Sequence, residues 1–575
     1  MQHEEGSQPA AGQGRIVELV QTEEHRSAPA QASPVHRLSR LLRAISLSLE
    51  VAGKSFECGL PYARGRLGLL RKIQITVLLI WHLCVLFFLA STAFTQWPGL
   101  HHDCALYTTP IIKSAALGQW EFDGFLSALV EHESRSFNMH GQLYQFIFAK
   151  LLRCASYEAL FCWTAALNVL TYLIYLTLGM KLCRPRFPRL GPWLVSGMAA
   201  VTALACLYLQ GRPECLLPML MAIPFALREW RITQKYAKWS AYVVLGLTVV
   251  LSPIPGVFCL LGVVAWMALR HGNAMIREIV YCGVASSLTA VLVLLVASPV
   301  NPHEWVLNTI SDGNSATGFF ERFGLPANLG VFRDLTLLDL PLWNVFCLGA
   351  FAMLAFALIR RRRWCLALVY AVIFIFVLMP KTLIYSYFGF MPILMLALSG
   401  RDADLLDFPE GLGRLPVALS SFFGVWGGAG LFRAMLLAVL FSSGGVSFSQ
   451  TRAAIRQLET GLHDPREKIG FIWLARPSFM AFSTADNFHM ALTLNVLEKG
   501  RKDPLLEPYE QKFDSKIRYV ILPQLGHVTE APPTLNEGMF LLERNGWSTQ
   551  RARFCGLKLG GAMPGYQFAL YARRE

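Results

Sequence analysis

The sequence predicts a polytopic α-helical membrane protein of about eleven transmembrane helices, followed by an extracytoplasmic α/β domain. Three observations carry this expectation. The 575 residues are 54% hydrophobic and only 16% charged, with a mean hydropathy of +0.42, whereas a water-soluble chain of this length needs far more polar surface. The basic residues fall in short clusters between apolar runs. After residue 448 the composition changes to that of a soluble domain.

Residues 1–34 are rich in Gln, Glu, Ser, Ala and Pro and read as a disordered cytoplasmic tail. No short apolar core with a small-residue cleavage site occurs near the start, which argues against a cleaved signal peptide. Over 35–72, Leu38, Leu41, Leu42, Ile45 and Leu49 recur at helical spacing with Arg37, Arg40 and Arg43 between them. That pattern suits a basic amphipathic helix on an anionic membrane surface, or a solvated juxtamembrane segment.

The membrane domain is expected over 73–448. Arg64, Arg66, Arg71 and Lys72 precede the first span, 73–94, so this span exits outward. Further spans are read at 160–182, 191–209, 214–228, 239–252, 254–269, 278–298, 340–359, 364–380 and 382–399. Lys181/Arg184/Arg186/Arg189, Arg228/Arg231/Lys235/Lys238, Arg270/Arg277, Arg360 to Arg363 and Arg401/Arg414 then share the cytoplasmic side. The opposite connections are poorer in positive charge. Ser252-Pro253-Ile254-Pro255 breaks a long apolar run and reads as a tight outer turn, because proline removes a backbone donor and cannot continue a helix. Arg433 lies inside the last apolar stretch, and a charge at mid-bilayer costs at least about 2.5 kcal/mol. Residues 416–430, with Gly427-Gly428-Ala429-Gly430, are therefore expected at the cytoplasmic interface, with the crossing running from Arg433 to Phe448. The N-terminus falls inside and the C-terminus outside.

Over 449–575, Ile469 to Leu474, Ile517 to Leu522 and Phe568 to Tyr571 read as strands. Helix-like segments are expected at 451–462, 485–499 and Phe540 to Glu543. Strands mixed with helices suggest a small α/β domain. It has no P-loop, no G-x-G-x-x-G after a strand and no G-x-S-x-G.

The chemistry is sought in the first outer loop, 95–157, the longest polar insertion in the membrane half. It carries His101-His102-Asp103, Tyr107, Glu121, Asp123 and His140. Asp103 lies just past a membrane exit, where it is either a solvated or helix-capping acid or a catalytic base. Lys381 follows Pro380 at an outer boundary and suits a phosphate, or snorkels to the interface. Arg212 and Glu214, at the turn between two spans, either join the same cavity or pair with each other. The second outer loop, 299–339, has Trp305, Phe319 and Phe320 among polar groups, which suits sugar stacking or interfacial anchoring. His101-His102-Asp103 leaves a divalent metal as an alternative ranked below the base role, with no H-E-x-x-H or spaced Cys/His set to support it. Cys104, Cys215 and Cys555 are the thiols expected to face outside.

Asp103 to Ile112 with the glycine-ended Ala115 to Trp120, Met139-His140-Gly141-Gln142-Leu143-Tyr144, and Tyr387 to Pro392 resemble segments of the GT-C superfamily of integral-membrane glycosyltransferases. The likeness is to dolichyl-phosphate-mannose mannosyltransferases and aminoarabinose transferases. Cys104 stands where many members carry a second acid. The resemblance implies an inverting transferase on the outer face, with a polyprenyl-phosphate sugar donor and a cell-envelope glycan, lipid or protein acceptor. Asp103 is the implied general base. Lys381, Arg212, Tyr107, His102, Glu121, Asp123, His140 and Tyr387 are the candidate substrate-binding residues. Sugar transfer from a phosphate needs a base for the acceptor hydroxyl and cations for the departing phosphate, and these residue types supply both.

Two other classes compete. A polyprenyl-linked sugar transporter or flippase should show paired half-sequences and mid-membrane ionisable residues, and no convincing repeat is found. A non-catalytic envelope-assembly protein leaves the polar and aromatic residues of 101–144 unexplained. The net charge of +14 orients a membrane protein; no Arg-Gly or aromatic-basic repeat supports nucleic acid.

Overall fold

In the computed structural model, the described residues are 66–95, 107–108, 111–112, 114–115, 126–127, 134–135, 142–183, 190–229, 234–271, 275–297, 303, 341–364, 366–368, 391–406, 414–441, 460, 468–472, 488–491, 517–524, 540–548, 553–554, 557–558 and 567–573. Helices dominate up to residue 441. They are α1 (Arg66–Thr95), α2 (Gln142–Phe146, running on as a π turn, Ile147–Leu151), α3 (Tyr157–Cys183), α4 (Gly191–Tyr208), α5 (Leu217–Glu229) and α6 (Gln234–Leu251). Then follow α7 (Pro253–His271), α8 (Met275–Ala297), α9 (Pro341–Arg360), α10 (Met391–Ser399) and α11 (Leu415–Phe441). The apolar runs therefore fold as helices close to the expected spans, and α1 begins already at Arg66. The span read at 364–380, residues 382–390 of the span read at 382–399, the loop 299–339 and the amphipathic segment 38–49 lie outside the described residues, apart from 303, 364 and 366–368.

Among the described residues, four helices are long and apolar enough to cross a membrane: Lys72–Phe94, Glu158–Cys183, Ile279–Ala297 and Leu415–Leu436. Their outward faces fit a lipid solvent. Phe87 is 77% exposed, Val296 71% and Val425 74%, and such an apolar belt is untenable in water. Against one another the helices bury polar ties. His82 of α1 lies between the Tyr172 hydroxyl of α3, at 2.8 Å, and the Ser196 hydroxyl of α4, at 3.1 Å. The Ser399 and Ser420 hydroxyls join α10 to α11 at 3.0 Å.

Residues 415–441 form one helix, of which Leu415–Leu436 is long and apolar enough to cross a membrane, so the glycine run expected at the cytoplasmic interface lies inside a candidate span. α11 packs along α4, and a Cβ added at Gly197 would stand 2.5 Å from the Cα of Gly424. Small residues let two backbones approach this closely, which is how helices associate in lipid, where apolar burial supplies no drive. Gly246 plays the same part between α6 and α8, where an added Cβ would stand 2.5 Å from the Ser286 carbonyl oxygen.

The proline turn folds as read. α6 ends at Leu251 and α7 starts at Pro253. A Cβ at Gly256 would lie 2.5 Å from the Cα of Val249. Residues seven apart in one continuous helix are separated by about 10 Å along its axis, so the chain reverses here and does not merely kink.

Reversals of this kind sort the helix ends onto two opposite ends of the bundle. At one of them, Arg228 grips Asp402 through two hydrogen bonds of 2.8 and 2.9 Å. The Trp266 indole donates to the same carboxylate at 3.1 Å. The Arg401 amide donates to the Leu182 carbonyl at 3.0 Å, and Arg361 reaches the carbonyls of Leu269 and Asp404. The ends of α3, α5, α7 and α9 and the segment after α10 thus meet at what we call the basic end.

Beyond residue 467 the structure has β3 (Lys468–Ile472), β4 (Phe488–Ala491), β5 (Ile517–Gln524), β6 (Phe540–Ser548), β7 (Arg553–Phe554), β8 (Leu557–Lys558) and β9 (Gln567–Arg573). Five of them form a mixed sheet in the order β4-β3-β5-β9-β6. β3 pairs in parallel with β4 and β5, and β9 pairs antiparallel with β5 and β6. Two helical expectations fail: Phe488–Ala491 and Phe540–Ser548 are strands. In the first long loop, β1 (Leu126–Ser127) pairs with β2 (Ser134–Arg135), and β1 lies beside β4 of the C-terminal sheet.

Candidate functional site

At the end of the bundle opposite the basic clusters, α4 runs out at Tyr208. The chain turns through Leu209, Gln210 and Gly211 and re-enters as a 3-10 turn, Pro213–Leu216, that leads into α5. The turn needs its glycine: Gly211 has φ 85°, a left-handed conformation that a side chain makes costly. Arg212 follows in an extended conformation (φ −105°, ψ 153°). Its amide donates to the Leu209 carbonyl at 2.9 Å, and the Cys215 amide donates back to the Arg212 carbonyl at 3.2 Å. Proline at the first position of the 3-10 turn has no donor to leave unsatisfied.

This backbone aims Arg212 and Glu214 at each other. Arg212 Nε donates to Glu214 Oε2 at 3.0 Å and Nη2 to Oε1 at 3.1 Å. Both side chains are buried, 9% and 3% exposed. A planar guanidinium matches a carboxylate in this two-pronged way. Two further elements close on the pair. The Ser252 hydroxyl, from the turn between α6 and α7, donates to Glu214 Oε1 at 3.0 Å. The Arg212 guanidinium carbon lies 5.6 Å from the centre of the Tyr107 ring, within cation–π range. Tyr107 is buried, and Thr108, Ile111, Ile112 and Ser114 are buried with it. Part of the first long loop is therefore packed into the protein.

Of the sequence candidates, the structure brings together Arg212 and Tyr107, with Glu214 as the arginine's partner. Asp103, His102, Glu121, Asp123, His140, Lys381 and Tyr387 lie outside the described residues. Sequence reasoning missed Ser252 as a member of this group. It also missed Gln210, which is fully buried and whose side-chain amide nitrogen and oxygen both lack a hydrogen-bond partner among the described residues.

Cys215 is buried rather than outward-facing, because the 3-10 turn folds it inward, where its carbonyl lies 3.7 Å from the Cys206 thiol. Among the described residues, no group of three or more His, Cys, Asp or Glu side chains is placed to hold a metal ion.

No family model and no curated protein matches the chain. Solved structures do resemble it. One is an oligosaccharyltransferase of Archaeoglobus fulgidus in complex with Zn and sulfate, at 15% identity over 77% of this chain and 67% of that one, with a TM-score of 0.45. A second is ArnT from Cupriavidus metallidurans bound to undecaprenyl phosphate, at 10% identity over 86% of this chain and 98% of that one, TM-score 0.45. A third is the archaeal oligosaccharyltransferase AglB from Archaeoglobus fulgidus with an inhibitory peptide and a dolichol-phosphate, at 15% identity over 77% and 69%, TM-score 0.41. Such low identities and scores leave the activity to be argued from the chain's own residues.

Proposed function

We propose that this protein is a membrane glycosyltransferase that moves a sugar from a polyprenyl-phosphate-linked donor to a cell-envelope glycan, lipid or protein acceptor. The observation that carries the reading is the packing of Tyr107 beneath Arg212, at the end of the bundle away from the basic clusters. It joins the loop that resembles the GT-C catalytic segment to a buried, three-bonded Arg212–Glu214–Ser252 group. Asp103 is four residues before Tyr107, and an extended chain gains at most about 3.5 Å per residue. Covalent connection alone therefore keeps the backbones of the two residues within about 14 Å.

In this reading the Asp103 carboxylate takes the proton of the acceptor hydroxyl while its oxygen attacks the anomeric carbon of the donor. The bond from that carbon to the phosphate oxygen breaks, the phosphate leaves with the electron pair, and the configuration inverts. Lys381 supports the leaving phosphate. The Arg212 charge is matched by Glu214, so the pair fixes the loop through Tyr107 and does not act as the main phosphate cation. His102, Glu121, Asp123, His140 and Tyr387 are assigned to the substrate-facing side of the same region. The positive-inside rule puts the basic end in the cytoplasm and this region outside. The contact between β1 and β4 supports placing the C-terminal domain, 449–575, on that outer side.

The test is turnover of a polyprenyl-phosphate sugar by the purified chain. Asp103→Asn should lower the rate by about 10²–10⁴ with unfolding unchanged, the usual loss when a general base is removed. Lys381→Ala should weaken donor binding as well as turnover. Near-normal turnover by Asp103→Asn removes the base assignment. Wild-type protein that binds lipid-linked sugar and moves it across a bilayer without transfer makes the flippase reading the correct one.

A further inference from the structure

Gln210, at this end of the bundle, is fully buried, and among the described residues neither its amide nitrogen nor its amide oxygen has a hydrogen-bond partner. Buried polar groups are almost always bonded, and orphaning one costs stability that native proteins seldom give up without a reason. The neighbourhood is built, not loose. Gln210 is held between α4 and the left-handed Gly211, two residues before the doubly bonded Arg212. A leucine would fill the same place without the penalty.

We infer that Gln210 is a sugar-recognising residue, binding a hydroxyl of the carbohydrate that this region takes. The chemistry of the side chain decides the ligand class. A carboxamide presents two N–H donors and an acceptor oxygen. A phosphate or carboxylate only accepts, so it would satisfy the nitrogen and leave the oxygen orphaned. A sugar hydroxyl both donates and accepts, so one hydroxyl or a neighbouring pair satisfies both atoms. The inference rests on the glycosyltransferase reading and assigns within it the residue that distinguishes a sugar from a bare lipid phosphate. The sugar is that of the donor or that of a glycan acceptor.

The test uses full-length protein in lipid nanodiscs and the variants Gln210→Leu and Gln210→Glu. Binding is measured to undecaprenyl phosphate, to undecaprenyl phosphates carrying glucose, mannose, galactose or aminoarabinose, and to soluble oligosaccharides of the same sugars. For the sugar that wild type prefers, Gln210→Leu should weaken binding by about 10-fold, the worth of one or two hydrogen bonds. Affinity for bare undecaprenyl phosphate should stay within about 2-fold. The ligand-free variant should unfold no earlier than wild type, because an orphaned amide is replaced by an apolar group of similar size. Gln210→Glu keeps the acceptor and loses the donors, and should retain less sugar binding than wild type. Loss confined to the lipid-linked probes assigns the donor sugar, and loss confined to the soluble ones assigns the acceptor.

Three results overturn the inference. In the first, wild type discriminates sugars but Gln210→Leu does so equally well, so that the amide holds only water. In the second, Gln210→Leu loses bare and sugar-bearing lipid alike and unfolds early, which makes Gln210 structural. In the third, wild type binds bare undecaprenyl phosphate and no sugar better than that. Wild type that binds none of the probes removes the glycosyltransferase reading itself and this assignment with it.

Discussion

Replacing Glu214 by leucine leaves the Arg212 guanidinium buried with its two strongest acceptors gone, and the structure sets the size of the damage. Glu214 takes bonds of 3.0 and 3.1 Å from Arg212 and one of 3.0 Å from Ser252, with the two charged side chains only 9% and 3% exposed. At a solvated surface such a pair is worth about 0–1 kcal/mol. Here removing one partner breaks a buried, two-bonded ion pair, and the expected loss is about 3–5 kcal/mol. Arg212→Met should cost a similar amount, because it takes the matching charge from a buried carboxylate. The double variant Arg212→Met/Glu214→Leu removes both charges and fills the space with apolar atoms. It should come back to within about 1 kcal/mol of wild type, since desolvating the pair consumed most of its attraction. Unfolding in mixed micelles titrated with dodecyl sulfate, followed by tryptophan fluorescence, reads all four corners of the cycle. The double variant should nonetheless turn over poorly, because the guanidinium over Tyr107 is gone. Single variants costing under about 1 kcal/mol would show that the pair is solvated. A double variant costing the sum of the singles would show that the two residues act independently.

The seam between α4 and α11 makes an asymmetric prediction. Gly197→Ala should destabilise by about 1–3 kcal/mol, since its Cβ would stand 2.5 Å from the Gly424 Cα, while Gly424→Ala, at 3.2 Å from the Gly197 Cα, should cost clearly less in the same unfolding assay. The Cys154 thiol, outside the spans, is pushed up to about 12 by burial and then by Cys162. The folded protein therefore disfavours its thiolate, and alkylation of Cys154 should stay slow as pH rises through 9, where an ordinary thiol ionises, and quicken only on unfolding; mass spectrometry after iodoacetamide pulses checks this. A periplasmic-type phosphatase reporter fused after Gly500 should be active and a cytoplasm-only reporter at the same point silent; the reverse pattern would invert the topology and move Lys381 to the wrong side.

How much of this was legible in the sequence depends on whether the deciding contact is local. Helix ends were legible because Arg228, Arg361 and Arg401 punctuate the apolar runs, and these arginines do meet at one end of the bundle. The Arg212–Glu214 pair was legible as an alternative, since its members are two residues apart. Ser252, 38 residues further on, was not, because nothing in a proline turn says which carboxylate its hydroxyl will reach. The packing role of the glycine run at 427–430 was not legible, because Gly427 and Gly430 face Val201 and Leu204, on another helix. Phe540–Ser548 was misread for a different reason. Register shifts fall between Leu542 and Arg544 and between Asn545 and Trp547, and each bulge breaks the alternation by which a strand is recognised. β4 is four residues long, too short to show a period at all. Gln210 could not have been found, because lacking a partner is a property only the folded chain has.

The two ends of the bundle are held by different bonding, and that difference bears on function. At the basic end, Asp402 is bound by Arg228 twice and by Trp266 once. The Arg228 guanidinium also lies 5.4 Å from the centre of the Trp266 ring. Donors from two helices thus meet on one carboxylate, which locks α5, α7 and the segment after α10 to one another. At the opposite end Arg212 pairs with Glu214, two residues on, and the pair also meets the Ser252 hydroxyl and the Tyr107 ring. Among the described residues, the Gln210 amide two residues away has no hydrogen-bond partner. A bundle clamped at one end and incompletely satisfied at the other has somewhere to bind a ligand without having to break its own scaffold. The bonds that a ligand would add at Gln210 are ones that the protein does not make for itself.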